Sequence, residues 1–288
     1  MGTRLIGVLF DGIAYGSLLF LIGVGLSITM GIMRFVNLAH GAFAMLGGYA
    51  CVTLMRRAGL PFLLTLPLVF LLTGAVGALL ERTLYRRLYG AGELDQVLFS
   101  IGLTLMSVAA ATYLWGPTEQ PVELPAFLRG QVHPFGLDLG SYRLFLLALV
   151  VAATIVLHAL VARTRFGARI RAAVDNRAAA AGLGIDVHRI FNLTFALGTG
   201  LAGLGGALGV DLLGLDPTFP LKYLVYFLLA VTVGGAGSIK GTAAAALLLG
   251  VCDIAGKYFV PQAASFVVYA LMVALLALFP AGLYGRRA

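Results

Sequence analysis

Charge is what this chain has least of. Of its 288 residues 11% are Asp, Glu, Lys or Arg and 60% are hydrophobic, too little charge to cover the surface of a water-soluble fold. Acids are scarcer still: 12 against 20 Lys and Arg, a formal net charge of +8. In a soluble chain that excess would suggest nucleic acid. In so apolar a chain it implies basic cytoplasmic loops, membrane lipid as solvent and no nucleic-acid partner. The two cysteines, Cys51 and Cys252, both fall in apolar runs, where free buried thiols are expected rather than a disulfide. Alternation over segments of about 10 residues is absent, which excludes a transmembrane barrel.

Targeting and catalytic motifs are missing too. Only Arg4 precedes the first apolar run and Asp11 interrupts it early, so that run is expected to persist as a helix rather than be cleaved. "MGTRLI" lacks the Ser or Thr of a myristoylation signal. The stretch nearest a phosphate loop, "GGAGSIKGT" at 234–242, has Gly after Lys240 and misplaced glycines. There is no His-Glu-x-x-His helix. Ser17, Ser27 and Ser107 are available to His40 or His158, but nothing in the spacing pairs them, and serines in membrane helices usually bond neighbouring backbone. No catalytic residue, cofactor or metal ligand is assigned, so the chain is not expected to be an enzyme. Asp11, Asp95, Asp211, Asp216 and Asp253 lie near helix ends, and Glu81 and Glu93 belong to the cytoplasmic side. A secondary transporter commonly carries an ionisable group in mid-membrane. Without one, uphill movement must draw its energy from elsewhere.

What the chain does have is long apolar runs and glycine. Helices are expected at about 12–32, 38–55, 62–81, 97–115, 143–161, 190–213, 222–236, 241–257 and 262–280, most near the ~20 residues that span a bilayer. The run at 222–236 is short enough to be re-entrant. This gives an all-α, polytopic membrane bundle of about 8–9 transmembrane helices, read as one domain over 1–288. The segment 163–189 carries Arg163, Arg165, Arg169, Arg171, Arg177 and Arg189 against Asp175 and Asp186, which puts it in the cytoplasm. Counting outward puts Arg34, Arg82, Arg86, Arg87, Arg286 and Arg287 on the same side. The loop 116–142, with Glu119, Glu123 and Asp138 against Arg129, falls outside. Arg56 and Arg57 fall outside as well, against the rule. The N-terminus is then external, and a re-entrant second helix would reverse it.

Four stretches stand out. In 163–189, the Ala- and Arg-rich residues 168–181 form a helix and Gly182 and Gly184 stop it. This is either a solvated connector or a docking helix, and the small side chains of Ala173, Ala178 and Ala179 favour docking. "MRFVNLAHGAFAMLGGYA" (33–50) puts Asn37 and His40 at a membrane edge; helix capping by Asn37, interhelical bonding by His40, or a gate on a transport path would each account for them. "GSIKGTAAAALLLG" (237–250) echoes it: a polar, glycine-bearing break with Ser238, in which Lys240–Gly241 parallels His40–Gly41, opens a helix of small residues. Paired interruptions of this kind mark transport sites, although Gly-rich turns also join ordinary membrane helices. In "FALGTGLAGLGGALGV" (195–210), Gly198, Gly200, Gly203, Gly205, Gly206 and Gly209 form a surface for another backbone, or line a pathway.

Together, "GLSITMGIMRFVNLAHGAFAMLGGY" (25–49), "GARIRAAVDNRAAAAGLGIDVHRIFNLTFALGTGLAGLGGAL" (167–208) and "VGGAGSIKGTAAAALLLG" (233–250) resemble, in order and spacing, the LivH-type permeases of branched-chain amino acid ABC importers. The resemblance runs from about residue 5 to 285. The ribose-type permeases carry an Asp-Leu-Ser loop where this chain has Asn37-Leu38-Ala39-His40. The resemblance implies a bacterial or archaeal inner-membrane subunit with the ABC importer permease fold. It also implies a second homologous permease, two cytoplasmic ATPase subunits that hold ATP and Mg²⁺, and an extracytoplasmic substrate-binding protein. The segment with Arg171, Ala173, Asp175, Ala178, Ala179, Gly182 and Gly184 would then couple to the ATPase. Urea, short amides or other amino acids are alternative substrates. A passive channel for small neutral solutes or an intramembrane hydrolase are readings from other classes.

Overall fold

The computed structural model describes residues 2–33, 35–133, 138–279 and 282–284. Arg34, Arg286 and Arg287, assigned above to the cytoplasmic side, lie outside the described residues. The helices are α1 (Gly2–Met33), α2 (His40–Ala58), α3 (Phe62–Thr83), α4 (Glu93–Trp115), α5 (Ser141–Arg163), α6 (Arg165–Asp175), α7 (Arg177–Gly182), α8 (Val187–Leu213), α9 (Phe219–Gly234), α10 (Ile239–Phe259) and α11 (Ala264–Leu278). Two short antiparallel strands, β1 (Gln131–Val132) and β2 (Leu139–Gly140), pair Gln131 with Gly140. Every expected apolar helix is present. Six, α1, α3, α4, α5, α8 and α10, are long and apolar enough to cross a membrane on that basis alone.

Two expected helix bounds need correction. α1 starts ten residues early because Asp11, read as an interruption, is paired with Arg143 at the start of α5. The single helix expected over 168–181 is two. Asn176 is extended (φ −153°, ψ 101°) and its side-chain oxygen accepts from the Ala179 N–H at 2.9 Å. Asn competes for local backbone donors better than it continues a helix, so it ends α6 and caps α7. Thr164 and Asp186 cap α6 and α8 in the same way.

The element ends sort onto two faces. Arg56 at the end of α2 donates to Gln120 (2.8 Å) and to the Pro121 carbonyl (3.0 Å), and the Gln120 N–H donates to Leu215 before α9. These ends share a face with the β1–β2 hairpin, and the bonds give Arg56 a protein partner there. The opposite face carries the Arg-rich α6 and α7, the 84–92 turn and the 235–238 turn. α9 has only 16 residues, about 24 Å. It nevertheless runs through: Tyr223 bonds Leu213 at one end, and Val233 and Gly234 accept from Leu283 and Tyr284 at the other. It is not re-entrant. Its short length reflects an inward-drawn start, with Leu215 and Phe219 both buried.

α8 stands at the centre. Apolar side chains such as Leu71, Ile155 and Phe266 are exposed to the surroundings. Lipid solvates them as well as protein would, so helices in it are held by close contact instead. The glycines of α8 provide that contact. They are not one face, as read from the sequence, but surround the helix. A Cβ on Gly198 would stand 2.9 Å from the Gly25 carbonyl of α1, and one on Gly205 would press on Ile22. On Gly206 it would overlap the Ala44 carbonyl of α2, and on Gly200 or Gly203 it would meet Phe70 or Thr73 of α3. Gly209 faces Leu18 and Leu213.

Candidate transport site and coupling face

The first break is an irregular stretch, Phe35–Ala39, that ends in a turn at Leu38–Ala39 and leads back into the bundle. Phe35, Asn37, Ala39 and His40 are all at most 2% exposed. His40 Nε2 lies 2.9 Å from the carbonyl oxygen of Ile22, eleven residues before α1 ends, or roughly 16 Å along its axis. α2 therefore begins deep inside the molecule rather than at a membrane edge. Irregular backbone at such depth survives where protein encloses and bonds it. Here Asn37 Oδ1 accepts from the Ala39 N–H (3.1 Å) and from the Tyr85 hydroxyl (3.0 Å). Asn37 is thus not the α2 cap. The capping position is Ala39, which makes no side-chain bond, and Asn37 instead ties the break to the turn after α3. His40 makes an interhelical bond, one of the roles read for it. Gly41 lets the start of α2 approach α9: a Cβ there would be 3.1 Å from Pro220 Cα. Asn37 Nδ2 and His40 Nδ1 have no hydrogen-bond partner among the described residues.

The second break, 235–238, also fastens to α1. The Gly237 N–H donates to the Ser27 carbonyl (3.0 Å), and the Thr242 hydroxyl donates to Ser27 Oγ (2.8 Å). Ser238 caps α10 through the Gly241 N–H, and Gly241 packs on the Gly234 backbone. The two echoing stretches thus dock on one helix at Ile22 and Ser27, roughly 8 Å apart along the axis. Their shapes differ, since the second break lies on the Arg-rich face and the first is buried.

On that face, Ala173 and Ala180 are buried against Val187 and Phe191 of α8, whereas Ala178 and Ala179 are exposed. Arg171 Nη1 donates to the Val161 carbonyl, so its charge is drawn back to α5. Asp175 is exposed, Gly182 closes α7, and Gly184 (φ +80°) makes the left-handed turn that only glycine makes without strain. A cavity of about 520 Å³ separates α6, at Ile170, Arg171, Val174 and Asp175, from the second break at Ala236–Ile239.

Two buried acids were not singled out. Glu81, assigned from the sequence to the cytoplasmic side, is 1% exposed. It accepts from the Tyr89 hydroxyl (2.5 Å) and from Asn192 Nδ2 (2.6 Å). Asp253, also 1% exposed, pairs with Lys257 (2.5 Å) and accepts from Tyr226 (3.2 Å). The Asp253–Lys257 spacing of four was a usable signal. Asn192 lies 111 residues from Glu81, and no local pattern reveals that pair. Burial raises the pKa of Tyr85, against a smaller opposing pull from Asn37. Burial, then the bond and charge of Glu81, raise that of Tyr89, with Arg177 and Arg86 opposing. Both phenols therefore stay protonated and donate.

Two polar breaks between helices, both fastened to α1 inside a bundle with apolar flanks, mark a multi-pass membrane transport protein. A family profile described as "Branched-chain amino acid transport system / permease component" matches residues 8–276. The chain belongs to that family, and is a multi-pass plasma-membrane protein of the bacterial and archaeal kind. It is 29% identical over 294 residues to the high-affinity branched-chain amino acid transport system permease protein BraD of Pseudomonas aeruginosa (96% of this chain, 95% of that one). It is 26% identical over 295 residues to LivH of Escherichia coli (96% and 94%), and 28% to the probable branched-chain amino acid transport permease protein LivH of Methanocaldococcus jannaschii (96% and 92%). No solved structure matches it.

Proposed function

We propose that this chain is the permease subunit of an ABC importer for branched-chain or related apolar amino acids, one domain over 1–288, with its Arg-rich face in the cytoplasm. It pairs with a second homologous permease and receives substrate from an extracytoplasmic binding protein. Two cytoplasmic ATPase subunits, which hold the ATP and Mg²⁺, dock on 163–189; the chain itself binds no cofactor and catalyses no reaction. The substrate class comes from the names of its relatives. One observation carries the coupling role: α7 buries Ala180 against α8 while presenting Ala178 and Ala179 outward. A surface of methyl groups on a helix held firmly from behind lets a partner approach closely. Ala178→Glu or Ala179→Glu should block docking while leaving the membrane helices untouched. The variant subunit still inserts and pairs, but leucine uptake falls and ATP hydrolysis no longer responds to the loaded binding protein. Wild-type uptake and hydrolysis in both variants would reduce this segment to a solvated connector.

A further inference from the structure

We infer that Tyr89 is the positioning residue through which movement of α7 reaches the buried break at Asn37, by a continuous ladder of aromatic contacts. The inference rests on the importer reading above. The ladder starts on α7, where the Arg177 guanidinium lies over the Phe191 ring, 5.3 Å from its centroid. Phe191 meets Tyr89 edge-on at 5.7 Å, Tyr89 meets Phe35 at 6.3 Å, and Phe35 meets Tyr85 at 5.3 Å. Tyr85 then donates to Asn37 Oδ1. Phe191, Phe35 and Tyr85 are each no more than 4% exposed. Edge-to-face rings constrain one another's tilt as well as their distance, and a close-packed interior passes a displacement on instead of absorbing it.

Tyr89 is the point where the ladder can turn. Its hydroxyl is tethered to Glu81 on α3, and Glu81 is held by Asn192 on α8. The ring between Phe191 and Phe35 therefore swings about a fixed end, so that a push from α7 becomes a tilt at Phe35. That residue is two positions from Asn37, at the mouth of the only segment between α1 and α2. Among the described residues no such ladder of rings joins α6 to the second break, and the 520 Å³ cavity lies between them. α7 is thus connected to the first break by packed rings, while among the described residues a cavity lies between α6 and the second.

The test uses the assembled transporter in liposomes, with its ATPase subunits, binding protein and leucine, and reads leucine moved per ATP hydrolysed. Tyr89→Ala should leave hydrolysis responsive to the loaded binding protein and lower that ratio at least about fivefold, the lower end of allosteric couplings. Tyr89→Phe keeps the ring but loses the tether to Glu81, and should recover only part of it. Phe35→Ala should produce the same loss, and Tyr89→Ala with Phe35→Ala should lose no more than either alone, as steps in series do. If Tyr89→Ala fails to assemble, Phe35→Leu, which keeps bulk without a ring, should give the loss instead. A wild-type ratio in the alanine variants, multiplying losses in the double variant, or a Tyr89→Phe as defective as Tyr89→Ala would each overturn the ladder. Failure of the importer reading looks different, since Ala178→Glu would then leave uptake and stimulated hydrolysis unchanged.

Discussion

His40 Nε2 sits 2.9 Å from the carbonyl of Ile22, a backbone oxygen in the buried middle of α1. One imidazole thereby pins the start of α2 to the interior of another helix. His40→Ala removes the bond and leaves a void. The expected loss is about 1–3 kcal/mol, combining a net hydrogen bond with lost packing. His40→Gln, which keeps a donor, should recover part of it. Unfolding of the purified subunit in detergent measures both, and an unchanged His40→Ala midpoint would remove the bond from the account of stability.

Gly206 and Gly102 are both glycines within helices, but only one is enclosed. A Cβ on Gly206 overlaps the Ala44 carbonyl, whereas one on Gly102 meets nothing within 4 Å. Gly206→Leu should therefore separate α2 from α8, at about 1–3 kcal/mol or more, and lower the yield of folded subunit. Gly102→Leu should be silent. Equal yields would mean that α8 tolerates bulk and is not the packed centre.

The Asp253–Lys257 pair predicts an asymmetry. The Asp253 side chain is 1% exposed and that of Lys257 is 56% exposed. Lys257→Met leaves a buried carboxylate with only Tyr226, while Asp253→Asn leaves an ammonium that reaches solvent. The first should cost more, by about 1–3 kcal/mol, the penalty for an uncompensated buried group. Thermal midpoints of the two variants at one pH check the order, and the reverse order would contradict it.

Sidedness is directly testable. In a background lacking Cys51 and Cys252, a cysteine at exposed Asp175 should resist an impermeant maleimide in intact cells, and one at exposed Gln131 should react. Labelling at 175 from outside would invert the whole arrangement, because the bonds among Arg56, Gln120 and Leu215 fix which ends share a face.

The apolar helices were legible because about 20 apolar residues leave little choice but a spanning helix. Their positions, and the basic and acidic loops on opposite faces, follow from local composition. The depth of His40 does not. It depends on Ala39 and Gly41 being small enough to enter a space that Ile22 and Pro220 create from elsewhere in the chain. Asn176 was legible and missed: within a run of good helix formers, an Asn three residues before a free N–H is a start signal. The burial of Glu81 was not legible, because the sequence gives no sign that Tyr89 and Asn192 enclose it. The glycines of α8 announced close contact but not its direction, since six in twelve residues cannot share one stripe of a helix.

The central place of α8 bears on how the chain is built. Synthesis delivers α1, α2 and α3 first, yet the backbone they close around ends at Leu213, 130 residues after α3 ends at Thr83. Until those residues emerge, the early helices have no common partner, and each must wait in the bilayer as a separately inserted rod. A nascent chain arrested before residue 187 should therefore hold its first helices accessible to lipid-borne crosslinkers. The same chain extended past α10 should close in a single concerted step, with the later-made post drawing the first-made wall around itself.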